Sequence, residues 1–214
     1  MKHLKSHLHL LVITLVTFTL FVFSTSLSAT QENKISSNVS SLFLAKSRDK
    51  LIHQTSLENL LAILKDWAIR PGKETKVWSR IEDSDAVFLE SISTESFNDF
   101  SKMAKNDKIE NPLLVFPASI LDGRDDFHFT CNWNHFGKFD EWDSAHANEL
   151  KKMSKLLNRV NKKEDDEGDY YNEIVIHNRL NLNQMETILL SAEIVNKLLI
   201  NKKISNDQFK LFNR

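Results

Sequence analysis

The chain has few of the residues that mark disulfide-bonded, fibrous or low-complexity proteins, with one cysteine, four glycines and three prolines among 214 residues. Because Cys131 is alone, no intrachain disulfide can form and the fold must rely on its apolar core. The low glycine and proline content excludes fibrous and low-complexity chains. A Gly-rich phosphate loop and the HExxH, CxxC and GxSxG motifs are also missing, so the common nucleotide, zinc and serine-hydrolase sites lack support.

Long apolar runs are absent except at the N-terminus. There, the uncharged run Leu8–Phe23 follows Lys2 and Lys5, and small residues lead to Ala29. This order is typical of a secretory signal peptide, and sixteen apolar residues are fewer than the roughly 20 that span a bilayer. We therefore predict a cleaved signal over residues 1–29 and a secreted or periplasmic protein without stable membrane association. The alternative is an uncleaved anchor.

The charge of the mature chain is nearly balanced. Removal of the signal would leave 185 residues with 26 basic and 29 acidic side chains. A slightly acidic surface is a poor match for phosphates, so nucleic acid is an unlikely partner. The length suffices for one domain with a substantial core. Residues 30–49 are polar and Ser/Asn-rich and predict a flexible arm, which leaves residues 50–214 as a single domain.

Hydrophobic periodicity predicts short strands with few helices between them. The predicted strands are Lys50–His53, Ala86–Glu90, Leu113–Phe116, Phe127–Cys131, Glu173–His177 and Thr187–Leu190. The predicted helices are a leucine-rich one after Thr55, then Thr94–Lys105, Glu149–Val160 and Ile194–Asn201. Thr55 and Glu58 fit a capping box at the start of the first helix. The pattern favours an α+β fold, with a mixed or antiparallel sheet and flanking helices.

Two segments carry a family resemblance. In the first, Leu51–Thr55, a strand ends at His53 and leads into a helix and then Pro71. In the second, Tyr171–Glu173 leads into a strand. Together they resemble the first and last signature segments of the ADP-ribosyltransferase catalytic fold, in its poly(ADP-ribose) polymerase branch. The resemblance covers residues 50 to about 190 and implies a split sheet.

The resemblance also implies an NAD site formed by His53, Gln54, Thr55, Phe88 and Glu173. The Glu173 carboxylate would hold a ribose hydroxyl and stabilise the positive charge that develops when the nicotinamide bond breaks. The His53 imidazole N–H would bind another ribose hydroxyl, and the Phe88 ring would stack on nicotinamide. Two positions depart from the family pattern, because Gln54 stands where the polymerases have Gly and Phe88 where they usually have Tyr.

The function implied is that of a secreted ADP-ribosyltransferase-like protein, with a bacterial effector or toxin as its setting. It would use NAD as substrate and transfer ADP-ribose to a macromolecule, expected to be a protein, or hydrolyse NAD. Tyr171 lies where arginine-modifying members carry an acid or amide, so an arginine target lacks support. Two alternatives remain: a catalytically degenerate binding module of the same fold, and an unrelated exported α+β protein.

A second group of polar residues lies in the middle of the chain. It comprises His128, His135 and His146 with Asp125, Asp126, Asp140 and Asp143. Their spacing matches no zinc pattern, so we predict no metal. The aromatic stretch Trp133–Trp142 is interleaved with acids rather than Lys or Arg, and it therefore does not indicate a nucleic-acid platform.

Overall fold

The computed structural model describes residues 39–71, 86–131, 143–160 and 172–213. The strands are β1 Lys50–Gln54, β2 Ala68–Ile69, β3 Val87–Ile92, β4 Leu113–Pro117, β5 Phe127–Cys131, β6 Asp143–His146, β7 Asn172–Ile176, β8 Leu180–Asn181 and β9 Thr187–Leu189. The helices are α1 Val39–Leu44, α2 Leu57–Asp66, α3 Thr94–Lys105, α4 Leu150–Val160, α5 Ala192–Ile200 and α6 Asn206–Phe209. The predicted signal over residues 1–29 lies outside the described residues.

One seven-stranded sheet organises the described residues. Its strand order is β6-β5-β7-β3-β1-β4-β9, and every pair of neighbours is antiparallel. A separate two-stranded ribbon pairs β2 with β8. Helices flank the sheet, so the prediction of an α+β fold with an antiparallel sheet is confirmed.

The sheet splits where β1 meets β3. The end of β3 pairs with β1, from Lys50↔Ile92 to Ile52↔Glu90, whereas the start of β3 pairs with β7, from Val87↔Ile176 to Leu89↔Ile174. Beyond Ile52, β1 stays paired with β4 as far as Gln54. The two half-sheets therefore share β3 and diverge on one side of it, as the predicted split sheet requires.

Strand alternation distributes apolar side chains to both faces of the sheet. The larger core contains Leu51, Leu89, Phe116, Phe129 and Ile174, and buried residues of α1, α2 and α4 pack into it. The smaller core, on the other face, contains Ile52, Ile92, Leu113, Val115 and Leu189 with Phe97, Phe100 and Ala104 of α3. The predicted inward faces of β5 and β7 are confirmed, since Phe127, Phe129, Cys131, Ile174 and Ile176 are all buried.

The flexible arm predicted over residues 30–49 is wrong for its second half. Val39 and Phe43 of α1 are fully buried, and the Phe43 ring meets Phe129 edge-on with centroids 5.8 Å apart. The Ser40 hydroxyl and N–H donate to Asp122 at 2.6 and 2.9 Å. Because α1 has only six residues, it is too short to display a helical period in the sequence.

Other short elements were absent from the sequence-based prediction. These are the β2–β8 ribbon, strand β6 and helix α6, none longer than four residues. The longer elements were placed well: α3 and β5 begin and end at the predicted residues. Within the described ranges, no helix combines the length and apolar character needed to cross a bilayer.

Replacing Phe43 should test whether α1 belongs to the domain. We expect Phe43→Ala to lower the free energy of unfolding by about 3–5 kcal/mol, because it leaves a cavity against Phe129. Its neighbour Leu44 is 64% exposed, so Leu44→Ala should change stability by no more than about 0.5 kcal/mol. Urea denaturation of both variants measures the difference. Equal, small losses would mean that α1 does not pack on the sheet.

Candidate active site

The residues of the candidate site lie on β1, β3 and β7, near the point where β1 separates from β3. Residues opposite each other on antiparallel strands share a face of the sheet, and Phe88 pairs with Val175. Continuing the same register one pair beyond Leu89↔Ile174 sets Glu90 of β3 beside Glu173 of β7. Phe88, Glu90 and Glu173 therefore share one face.

Glu173 is a half-buried carboxylate with an unsatisfied atom. Its Oε2 is shielded from solvent and has no hydrogen-bond partner among the described residues. Burial raises the pKa of Glu173 above its ordinary value, and the negative charge of Glu90 raises it further. A buried polar atom without a partner is costly in a folded protein. Within the described part of the chain, Glu173 Oε2 is therefore an unused hydrogen-bond acceptor.

A buried polar contact holds the residue before Glu173. Asn172 Oδ1 accepts from the Ser91 backbone N–H at 3.0 Å and also from the Ser91 hydroxyl. Both residues are buried, and the contact joins β7 to β3 one position beyond the Glu90–Glu173 pair. It therefore limits the freedom of the backbone that carries Glu173.

His53 reaches across the opening to β3. Its Nδ1 lies 2.9 Å from the Phe88 carbonyl oxygen, and because a carbonyl can only accept, Nδ1 must carry the hydrogen. Burial lowers the pKa of His53, although the bond to the Phe88 carbonyl opposes this effect. The imidazole is thus neutral at pH 7 and offers Nε2 as an acceptor. The predicted donation from an N–H to a ribose hydroxyl is therefore reversed in direction: a hydroxyl would donate to Nε2.

The residues after His53 lead into α2. Helix α2 is capped by Ser56, whose hydroxyl accepts from the Asn59 N–H at 3.2 Å, so the capping box predicted for Thr55 and Glu58 is wrong. The Thr55 hydroxyl consequently lies outside the cap, while its N–H donates to the Pro112 carbonyl at 3.1 Å. Gln54, exposed at the end of β1, pairs with Leu113 of β4 rather than with β3.

The structure sets Phe88 and Glu173 on one face of the sheet. His53 pairs with Leu114 of the larger core, so alternation sets its side chain on the other face, and it reaches Phe88 through the backbone carbonyl. Gln54 and Thr55 follow His53 in the chain. Sequence reasoning missed Glu90. Strand alternation is the sequence signal that could have revealed Glu90, because a residue two positions after Phe88 lies on the same face of the strand. Tyr171 lies outside the described residues.

The described part of the second polar cluster is a group of histidines. His128 and His146 are cross-strand partners with ring centroids 5.7 Å apart. His177 joins them, with its Nε2 3.0 Å from His128 Nδ1. Asp126 is engaged by Arg124 and Asn178. Over the described ranges, no three His, Cys, Asp or Glu side chains are arranged to hold a metal ion. His135, Asp140 and the Trp133–Trp142 stretch fall outside them.

Comparison with solved structures finds chains of similar fold. The chain resembles Thermus sp. 2.9 DarT in complex with NAD+, with a TM-score of 0.49 and 14% identity over 76% of this chain and 90% of that one. It also resembles the same protein in complex with carba-NAD+, with a TM-score of 0.49, 14% identity and coverage of 78% and 93%. For the complex with ADP-ribosylated ssDNA the TM-score is 0.48, with 13% identity and coverage of 78% and 91%.

No family model and no curated protein matches the chain.

The raised pKa of Glu173 predicts a pH-dependent stability. The folded state holds the proton of Glu173 to higher pH than the unfolded state, so stability falls as pH rises from the unfolded to the folded pKa. We expect Glu173→Gln to be more stable than wild type at pH 7. The difference should vanish below about pH 4, where both states are protonated.

Urea denaturation at both pH values measures this effect, with the exposed Glu110→Gln as a control that should match wild type. One proton allows a slope of at most about 1.4 kcal/mol per pH unit. A Glu173→Gln protein less stable than wild type at pH 7 would contradict the buried, unpaired carboxylate.

Proposed function

We propose that the protein binds NAD and breaks its nicotinamide–ribose bond, passing ADP-ribose to a macromolecule or to water. The observation that carries the proposal is the buried Oε2 of Glu173, which lacks a partner and shares a face with the Phe88 ring. Such an arrangement suits a ligand with a hydroxyl for the carboxylate and a flat ring for Phe88. The nicotinamide riboside half of NAD offers both.

The reaction needs a negative charge beside the ribose. As the bond between C1′ and the nicotinamide nitrogen breaks, its electron pair moves to the nitrogen and positive charge spreads over the ribose ring, as in glycoside cleavage. The Glu173 carboxylate can accept a hydrogen bond from the ribose 2′-hydroxyl and stabilise this charge. Because the group is partly desolvated, its electrostatic effect is larger than in water.

His53 and Phe88 would position the substrate. The bond from Nδ1 to the Phe88 carbonyl fixes the tautomer of His53, so Nε2 can accept from a second ribose hydroxyl. The half-buried Phe88 ring provides a surface on which nicotinamide can stack. The same bond ties the imidazole to the strand that carries the ring, which keeps the two groups in a fixed relation.

The acceptor and the setting are also proposals. We propose export through the signal at residues 1–29 and a macromolecular acceptor, with protein as the first choice. One similar solved structure holds an ADP-ribosylated ssDNA, so single-stranded DNA belongs beside protein in the acceptor assay. Transfer of ADP-ribose from nicotinamide to the acceptor would be a glycosyl transfer, and a toxin or effector role would follow from export combined with that activity.

Nicotinamide release tests the proposal directly. The mature chain incubated with NAD should release nicotinamide, and Glu173→Gln should release it about 10²–10³-fold more slowly, because a neutral amide cannot stabilise the developing charge. Glu95→Gln, an exposed change at the start of α3, should behave like wild type. NAD binding without turnover would favour the degenerate binding module, and neither binding nor turnover would favour an unrelated α+β protein.

The Phe88 ring has a separate kinetic signature. Phe88→Ala should raise the KM for NAD about tenfold, because base–aromatic stacking contributes about 1–3 kcal/mol. Phe88→Tyr should restore the wild-type KM, since it keeps the ring. Steady-state kinetics at fixed pH measures both. An unchanged KM in Phe88→Ala would show that the ring belongs only to the core.

A further inference from the structure

We propose that Glu90 is the general base that deprotonates the acceptor, so that the acceptor is a neutral O–H or N–H group. This inference rests on the proposed function and assigns to a second carboxylate the half of the reaction that Glu173 does not perform. An acceptor that is already an anion, such as a carboxylate, would need no deprotonation and therefore would not depend on Glu90.

The register places the two carboxylates side by side. Glu90 pairs with Ile52 on one side, and continuation of the β3–β7 ladder from Leu89↔Ile174 brings it opposite Glu173 on the other. Directly opposite residues in antiparallel strands have Cβ atoms about 4.5–5.5 Å apart. The two groups are close enough for Glu90 to affect the charge on Glu173.

The exposure of the two side chains separates their roles. Glu173 has a carboxylate oxygen hidden from solvent, which suits a group that holds a bound ribose. Glu90 is exposed and can therefore meet an acceptor that arrives from solution. Both lie on the face that carries Phe88, so a molecule held between Phe88 and Glu173 would present its C1′ close to Glu90.

Arg48 adjusts the charge of Glu90. Its guanidinium donates to the Ser91 carbonyl and its charge favours the ionised form of Glu90, while partial desolvation of the carboxylate, which solvent still reaches, raises the pKa of Glu90. A general base must be ionised at the working pH and still hold a proton well, and opposing effects of this kind serve that need. No comparable cation acts on the pKa of Glu173 among the described residues.

The transfer step balances without a further reactant. A lone pair of the acceptor forms a bond to C1′, and the C1′–nicotinamide bond breaks with its pair moving to the ring nitrogen. Nicotinamide leaves as a neutral molecule. The acceptor's proton passes to the Glu90 carboxylate and then to water. Nothing is oxidised or reduced.

Chemical rescue by azide tests this assignment. Azide attacks C1′ without a proton to lose, so it needs no base. We expect Glu90→Gln to lower nicotinamide release in water at least tenfold, and added sodium azide to restore most of the rate with formation of ADP-ribosyl azide. Glu90→Asp should keep partial activity without azide. Glu173→Gln should gain little from azide, because it lacks the charge that stabilises the transition state.

The outcomes distinguish this inference from the proposed function. If wild type neither binds nor cleaves NAD, both fail. If wild type cleaves NAD and Glu90→Gln does so equally fast, only the role of Glu90 is overturned. A slow Glu90→Gln that azide does not rescue also overturns it, and shows that Glu90 acts on the site in another way. Thermal unfolding of each variant confirms that the rates refer to folded protein.

Discussion

The candidate site depends on one constraint: β3 pairs with different strands along its length. Its end is bound to β1 and its start to β7, so β1 diverges from β3 beyond Ile52, while His53 stays paired with Leu114 of β4. That divergence opens the sheet at its middle without exposing the larger core. The His53–Phe88 hydrogen bond spans the opening between β1 and β3. On the other side of β3, the Asn172–Ser91 contact joins it to β7. The half-sheets are therefore held at a fixed separation.

The electrostatics of the site carry a cost in stability. Two carboxylates face each other across β3 and β7, and the more buried one has an oxygen without a partner. A structure selected only for stability would place an apolar or hydrogen-bonded pair there. Unfavourable arrangements of this kind concentrate at functional sites, where the unmet interaction is satisfied by a ligand. The surrounding β-ladders and buried cores offset the cost.

Much of the fold could be predicted from the sequence because the spacing of apolar residues reflects which side of a strand or helix is buried. The alternation in Phe127–Cys131 and the helical spacing in Thr94–Lys105 each matched one element. The two-residue strands β2 and β8 and the four-residue β6 and α6 escaped because such short segments cannot show a period. Helix α1 was mistaken for a polar arm because only two of its six residues are buried.

For the candidate site, local pattern predicted the strand that carries His53 and the strand that carries Glu173. The choice of Phe88 rested on the family resemblance. Glu90 could not be found without the strand register, which depends on long-range pairing. The tautomer of His53 depends on a carbonyl 35 residues away, and no local sequence pattern reports such a contact. The shift of the α2 cap from Thr55 to Ser56 was also beyond sequence, since both residue types cap helices well.

The burial of α1 constrains how the chain could be processed. Were the signal removed after Ala29, only nine residues would separate the cut from Val39, and nine extended residues reach at most about 30 Å. Val39 and Phe43 are part of the core, so a domain already folded would hold the cleavage point close to its own surface. A peptidase embedded in a membrane would then work against steric crowding. If such a signal is cleaved, we expect cleavage to precede the docking of α1 and the core to be completed only afterwards.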